Sequence, residues 1–307
     1  MFSAGIAVAL LFTQTAPPLK ICDAVQSAVL AEEARRAASA RQFDLAATKF
    51  LEAHSACPQN RSLLVENANA LFMARRFDDA RTASANILRG DPGDAAALKI
   101  KGNVEYFLGE FEEAMSTFIT LLDRHPDDED GAYMLGRIYY QEGRPDHAIG
   151  QFQRVLKLNP RSYKAWDNLG LCWQANGDTD KAIAHFLQAI KIAEKDNPDY
   201  DWAYANLADL LVREGDAEHA FAAAAKAANR NPNSARNFYI GAKALEKLGK
   251  TELCLNWLQR AAVLDPNYPE PQYLLARVYQ RLGQQDKAEE ARERFKELKA
   301  KESSKRR

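Results

Sequence analysis

Small and bulky apolar residues recur along this chain at a fixed interval, between evenly spaced polar positions. With repeats started at Ser27, Arg61, Ala95, Glu129, Tyr163, Asp201, Ala235 and Pro269, position 20 is occupied by Ala46, Ala80, Ala114, Ala148, Ala182, Ala220, Cys254 and Ala288. Position 8 is equally small: Ala34, Ala68, Gly102, Gly136, Gly170, Ala208, Ala242 and Ala276. Small residues let two helices approach closely. Position 24 carries bulk in most repeats, as Phe50, Phe118, Phe152, Phe186 and Leu258, and is expected to fill the space between helices. Glycines at position 15 (Gly109, Gly143, Gly177, Gly215, Gly249, Gly283) are placed to end a first helix in the left-handed conformation. Arg41 and Arg75 stand there in the first two repeats, whose turns are still expected to form. Acidic residues at position 18, such as Asp44, Asp78, Glu112 and Asp146, suit the start of a second helix.

Prolines close each unit. Pro58, Pro92, Pro126 and Pro160 are 34 residues apart; Pro198 follows after 38, and Pro232 and Pro266 resume the interval of 34. Such a period marks a solenoid repeat and overrides a domain count based on length. Each repeat reads as helix, short turn, helix, and neither helix buries its apolar face without a neighbouring repeat. The four extra residues before Pro198 are close to one helical turn. They predict a longer second helix in repeat five, within Ile192 to Asp196, and not a hinge.

The run Trp166-x-x-Leu169-Gly170-x-x-Trp173, with Ala182 and Phe186, resembles the tetratricopeptide repeat; Leu135, Gly136, Tyr139, Ala148, Phe152 and Pro160 repeat the likeness. The resemblance spans roughly Ser27 to Ala300. It implies an all-α, right-handed superhelical solenoid of about eight 34-residue helix-turn-helix repeats. The domain reading is a signal peptide over 1–17, the solenoid over 18–302 and a basic tail over 303–307.

The resemblance also implies that first helices line a concave face with positions 2, 5, 6, 9, 12 and 13. In the early repeats this selects Asn69, Phe72, Lys99, Asn103 and Tyr106, with Met73 and Phe107 beside them. The middle repeats add Tyr133, Arg137, Tyr140, Lys164, Asp167 and Asn168. Trp202, Asn206, Arg213, Arg236, Tyr239, Lys243, Tyr273 and Arg277 continue the face. Aromatic area, arginine forks and asparagine amides suit an extended peptide, with acidic character favoured towards the C-terminal half. Arg236, Lys243 and Arg277 are expected to be solvated there, so that their charge reversal would leave the fold intact.

Two subfamily patterns fit only in part. Lys99, Asn103 and Lys164 match a clamp for a C-terminal carboxylate, but Met134 and Asn168 depart from it. Asn168 and Asn206 match the asparagine ladder of sugar-transferring enzymes, but Glu32, Glu66, Ile100, Met134, Ile240 and Leu274 break it.

A formal net charge of −1 argues against broad nucleic-acid binding. Ala4 to Phe12 is apolar, too short to span a bilayer, and fits the core of a secretory signal. Its start lacks Lys and Arg, and no clean Ala-x-Ala precedes Pro17. An exported protein is therefore expected, with a cytoplasmic one as the alternative. Cys22 and Cys57 fall at neighbouring ends of an antiparallel helix pair; they read either as a disulfide, in keeping with export, or as two unpaired thiols. Cys172 and Cys254 read as core residues.

No metal spacing, phosphate loop or nucleophile motif stands out, so no enzyme and no cofactor is expected. The function read from the chain is a non-enzymatic scaffold for a protein or peptide. A cytosolic adaptor or co-chaperone, or an accessory subunit of a carbohydrate-processing or secretion assembly, are the alternatives. Nothing in the sequence sets the oligomeric state.

Overall fold

A computed structural model of the chain describes residues 22–305. The signal-peptide reading of 1–17 lies outside them, as do the last two residues of the basic tail. Sixteen helices and no strands occur among the described residues. The chain divides into two compact units, one ending at Glu110 and one beginning at Phe111.

The first unit holds α1 (Ala24–Ser39), α2 (Phe43–Ala56), α3 (Ser62–Met73), α4 (Phe77–Gly90) and α5 (Ala95–Leu108). Ala34, Ala46, Phe50, Leu63, Ala80 and Val104 form its core. The turns after α1 and α3 place Arg41 at φ 58° and Arg75 at φ 60°, the left-handed region that glycine fills in later repeats. Cys22 and Cys57 are bonded, with sulfurs 1.96 Å and Cα atoms 4.2 Å apart. The backbone N–H of Asp23 donates to the carbonyl of Ala56, so the entry to α1 is tied to the exit of α2 twice.

The second unit runs α6 (Phe111–Arg124), α7 (Glu129–Gln141), α8 (Pro145–Leu158), α9 (Tyr163–Ala175), α10 (Thr179–Asp196), α11 (Trp202–Glu214), α12 (Ala217–Arg230), α13 (Ala235–Lys247), α14 (Thr251–Leu264), α15 (Pro269–Arg281) and α16 (Gln285–Lys305). First and second helices alternate. Asp128, Asp178, Asp216 and Ser234 accept backbone N–H groups as N-caps. Helix α16 runs on past residue 302 to Lys305, and the hydroxyls of Ser303 and Ser304 donate to the carbonyls of Lys299 and Lys301.

The register positions have specific packing causes. In repeats four and five, position 24 of the second helix lies on position 8 of its own first helix. A Cβ added at Gly136 would stand 2.8 Å from the ring of Phe152, and one at Gly170 would stand 2.4 Å from Phe186. In these two repeats position 8 is small because a ring occupies its place, which refines the sequence reading of close helix approach.

The extra turn lengthens α10 to 18 residues, against 14 in the second helices of neighbouring repeats. One buried cluster passes from Ala182 through Ala203 and Ala220 to Ala244, so the core is continuous across the insertion.

Candidate partner-binding face

In the second unit, residues at positions 2, 5, 6 and 9 of successive first helices touch one another. Asn168 on α9 donates from Nδ2 to the Tyr133 hydroxyl on α7, 3.2 Å away. Asn206 on α11 donates to Oδ1 of Asp167 on α9 at 2.9 Å, and Arg236 on α13 donates to Oδ1 of Asn206 at 2.8 Å. The Arg236 guanidinium also stands 5.5 Å from the ring centroid of Trp202, which is 55% exposed. Four first helices thus share one polar seam.

The seam corrects one site assignment. Asn206 is only 4% exposed, with both ends of its amide engaged, so it does not face a ligand. Asp167 is 3% exposed, and Tyr200 donates to its Oδ2 at 2.6 Å. Burial pushes the Asp167 carboxyl up to about 6, against the opposing effect of the hydrogen bonds from Tyr200 and Asn206. The asparagine-ladder likeness loses its second rung by this geometry.

The cations further along carry carboxylate partners, unlike the solvated groups expected from sequence. Lys243 Nζ is 2.8 Å from Asp209 Oδ1, and Arg213 Nη2 is 2.6 Å from Asp209 Oδ2. Arg277 and Arg281 each bring an Nη2 to 3.0 Å of Glu246 Oε1. Charge reversal of Lys243 or Arg277 would set two acids side by side, so it would not leave the fold untouched. Each carboxylate is flanked by two cations, and each trio keeps a net positive charge. The Asp209 carboxyl is half-buried, which alone would raise it, but Lys243 and Arg213 hold it below the usual carboxylate range.

Tyr239 packs edge-on against Tyr268 at 5.4 Å, near Lys243. Burial pushes the Tyr239 phenol up to about 12. Arg137 lies along Met134, Tyr140 is half-buried, and Lys164 is exposed. Neither Asp209 nor Glu246 was singled out in the sequence. Their places at positions 9 and 12, where a partner-facing residue was sought, were the available signal.

In the first unit, Phe72 meets Phe107 edge-on at 5.5 Å, and Tyr106 meets Phe107 at 5.8 Å. Phe107 is 57% exposed. Asn69 is exposed beside Glu66, which accepts a two-pronged bond from Arg35. Lys99 and Asn103 are half-buried on α5.

Among the described residues no group of acidic, histidine or cysteine side chains could hold a metal ion, and no helix is long and apolar enough to cross a membrane. Burial pushes the Cys172 and Cys254 thiols up to about 12.

The structure is an all-α helical-repeat solenoid. Family models described as tetratricopeptide repeat match residues 65–129, 101–152, 133–197, 203–234 and 257–290. The chain belongs to the tetratricopeptide-repeat family. It is similar to the crystal structure of a tetratricopeptide repeat protein from Parabacteroides merdae, with 20% identity and a TM-score of 0.66 over 83% of this chain and 99% of that one. It is also similar to a chain in the crystal structure of the APC/C hetero-tetramer Cut9-Hcn1, with 18% identity and a TM-score of 0.67 over 82% of this chain and 48% of that one. At these identities the likeness shows the fold alone. No curated protein matches the sequence. Repeats of this family in general mediate contact between proteins, and such scaffolds are generally non-enzymatic.

Proposed function

We propose that this protein is a scaffold whose first-helix face in the second unit holds an extended, acidic segment of a protein partner. The observation that carries the reading is the pair of doubly flanked carboxylates. Asp209 and Glu246 each stand beside two cations, and each trio carries one positive charge in surplus. A cation already held by one carboxylate loses little side-chain freedom when it meets a second, so a ligand carboxylate finds the site prepared. Trp202, Tyr239 and Tyr273 lie on the first helices of the same repeats and offer stiff apolar area. The apolar stretch Ala4 to Phe12 and the bond between Cys22 and Cys57 support an exported location, which the N-terminus of the mature chain would test by mass spectrometry.

The binding test uses a fluorescein-labelled synthetic peptide rich in Asp and Glu, and the double variant Arg213→Gln, Arg281→Gln. Each substitution removes the surplus cation and leaves the pairs Lys243–Asp209 and Arg277–Glu246 in place. Affinity is expected to fall about tenfold or more, and to weaken with added salt in the native protein. Unchanged affinity in the double variant, with unchanged circular dichroism, would remove this face from the reading.

A further inference from the structure

A second surface lies on the second-helix side of repeats five and six. Position 23 carries a ring in the two flanking repeats. His185 packs on Trp166 and Trp173, at 5.5 and 6.4 Å. Trp257 packs on Phe221 and Phe238, at 5.1 and 5.2 Å, over Gly241. Repeat six has Ala223 at this position. The place of the missing ring is an open groove of about 490 Å³ between α10 and α12. Leu187 and Ile190 wall it, Leu207 and Leu211 floor it, and Leu187 is 50% exposed.

The extra turn of α10 completes the groove at one end. Glu194, within that turn, accepts from the Tyr204 hydroxyl at 2.6 Å, and Lys226 and Arg230 lie over the Tyr204 ring at 5.4 and 4.2 Å. Two cations against one carboxylate make this end positive. At the other end Asp216, the N-cap of α12, lines the groove with His219; Asp178, the N-cap of α10 paired with Lys181, and Glu214, the last residue of α11, stand at that end outside the lining. Hydrogen bonds from Lys181 and His219 keep Asp178 and Asp216 below the usual carboxylate range. The groove is therefore apolar along its floor, acidic at one end and basic at the other.

We propose that this groove docks one amphipathic α-helix of a partner protein, antiparallel to α10 and α12, with acidic residues in its first turn and basic residues in its last. The polarity follows from charge complementarity. A helix carries acidic residues best at its N-terminus and basic ones at its C-terminus, and in the antiparallel direction these meet Lys226 with Arg230, and Asp216 with Glu214. The span from Ile183 to Glu194 is about 16 Å, or three turns. Ala223 lets a partner side chain enter where Trp257 sits in the next repeat. The surface is distinct from the first-helix face, so the protein can hold two segments at once.

The probe is a synthetic amphipathic helical peptide with leucines on one face, glutamates in its first turn and lysines in its last. Its twin has the two charged turns exchanged. Binding to the full chain is read by fluorescence anisotropy. The first peptide is expected to bind, and the twin to bind about tenfold more weakly. Ala223→Trp fills the groove and Leu187→Ser breaks its wall on an exposed side chain. Each is expected to weaken the first peptide about tenfold, while Arg213→Gln with Arg281→Gln leaves it unchanged. Circular dichroism checks both groove variants, and Leu187→Ser keeps the test open if Ala223→Trp misfolds. The proposal is overturned if the first peptide does not bind, if both peptides bind equally, or if a folded groove variant keeps full affinity. Self-association of the chain that Leu187→Ser abolishes would give the groove to a second copy and overturn it as well.

Discussion

The hydroxyl of Tyr200 donates to a carboxylate oxygen of Asp167 at 2.6 Å, at a depth where Asp167 is almost fully shielded from water. Asn206 donates to the other oxygen. Burial nevertheless holds the folded carboxyl at about 6, above the roughly 3.9 of an unfolded aspartate. The folded state therefore binds the proton more tightly. Stability from this group is fully present below about pH 4, is lost as pH rises through about 6, and is flat beyond. At neutral pH the ionised form costs up to about 3 kcal/mol. Asp167→Asn can keep both bonds, accepting from Asn206 and donating to the Tyr200 oxygen. Thermal melts from pH 4 to 7 are expected to show a falling Tm in the native protein and a flatter profile in Asp167→Asn. Equal slopes in the two proteins would refute the assignment.

Gly170 tests the packing of position 24 on position 8. The Cβ of Gly170→Ala would meet the buried Phe186 ring at 2.4 Å, with little room for the ring to yield. A loss of about 1–3 kcal/mol is expected. Gly150, on the exposed side of α8, has open space where its Cβ would go. Gly150→Ala is expected to gain about 0.5–1 kcal/mol. Urea titrations of both variants check the pair; equal effects would mean that the ring does not set the size of position 8.

Much of this could be read from the sequence because the repeat restates it. Gly109, Gly143 and Gly177 recur where the backbone turns left-handed, and Phe118, Phe152 and Phe186 recur where a ring must fill the core. Eight copies average out local ambiguity. What could not be read departs from the repeat. Asp167 sits where other repeats carry Lys99, Tyr133 or Tyr239, and its partners stand 33 and 39 residues on, Tyr200 at the end of its own elongated repeat and Asn206 in the next. The positions of Arg213 and Lys243 placed them on the right helices, but position alone carries no sign of the carboxylate they share. A side chain's exposure depends on its neighbours across helices, and periodicity reports only the face it occupies.

The bond between Cys22 and Cys57 closes a separation of 35 residues around the first helix pair. It lowers the entropy of the unfolded first repeat. Cys57→Ser is expected to cost about 2–4 kcal/mol. Alkylation without reductant is expected to modify no cysteine in the folded protein, since Cys172 and Cys254 are buried with thiols pushed up to about 12. In denaturant without reductant, only those two should react. Four modified cysteines in denaturant would show that the bond had not formed.

Arg41 and Arg75 hold left-handed turns that glycine holds in six later repeats. A side chain in that region costs roughly 1–2 kcal/mol from the approach of Cβ to the backbone. Glycine relieves this but loses more chain entropy on folding, about 0.5–1 kcal/mol. Arg41→Gly is thus expected to gain about 0.5–1 kcal/mol. Arg75→Gly should gain less, because the Arg75 guanidinium stands 5.8 Å from the ring of Phe77 and that contact is lost. The reverse change, Gly143→Arg at φ 68°, should destabilise by a similar amount. Equilibrium unfolding of the three variants decides the matter: if Arg41→Gly is less stable than the native chain, the arginine makes a contact in the folded turn that outweighs its strained backbone.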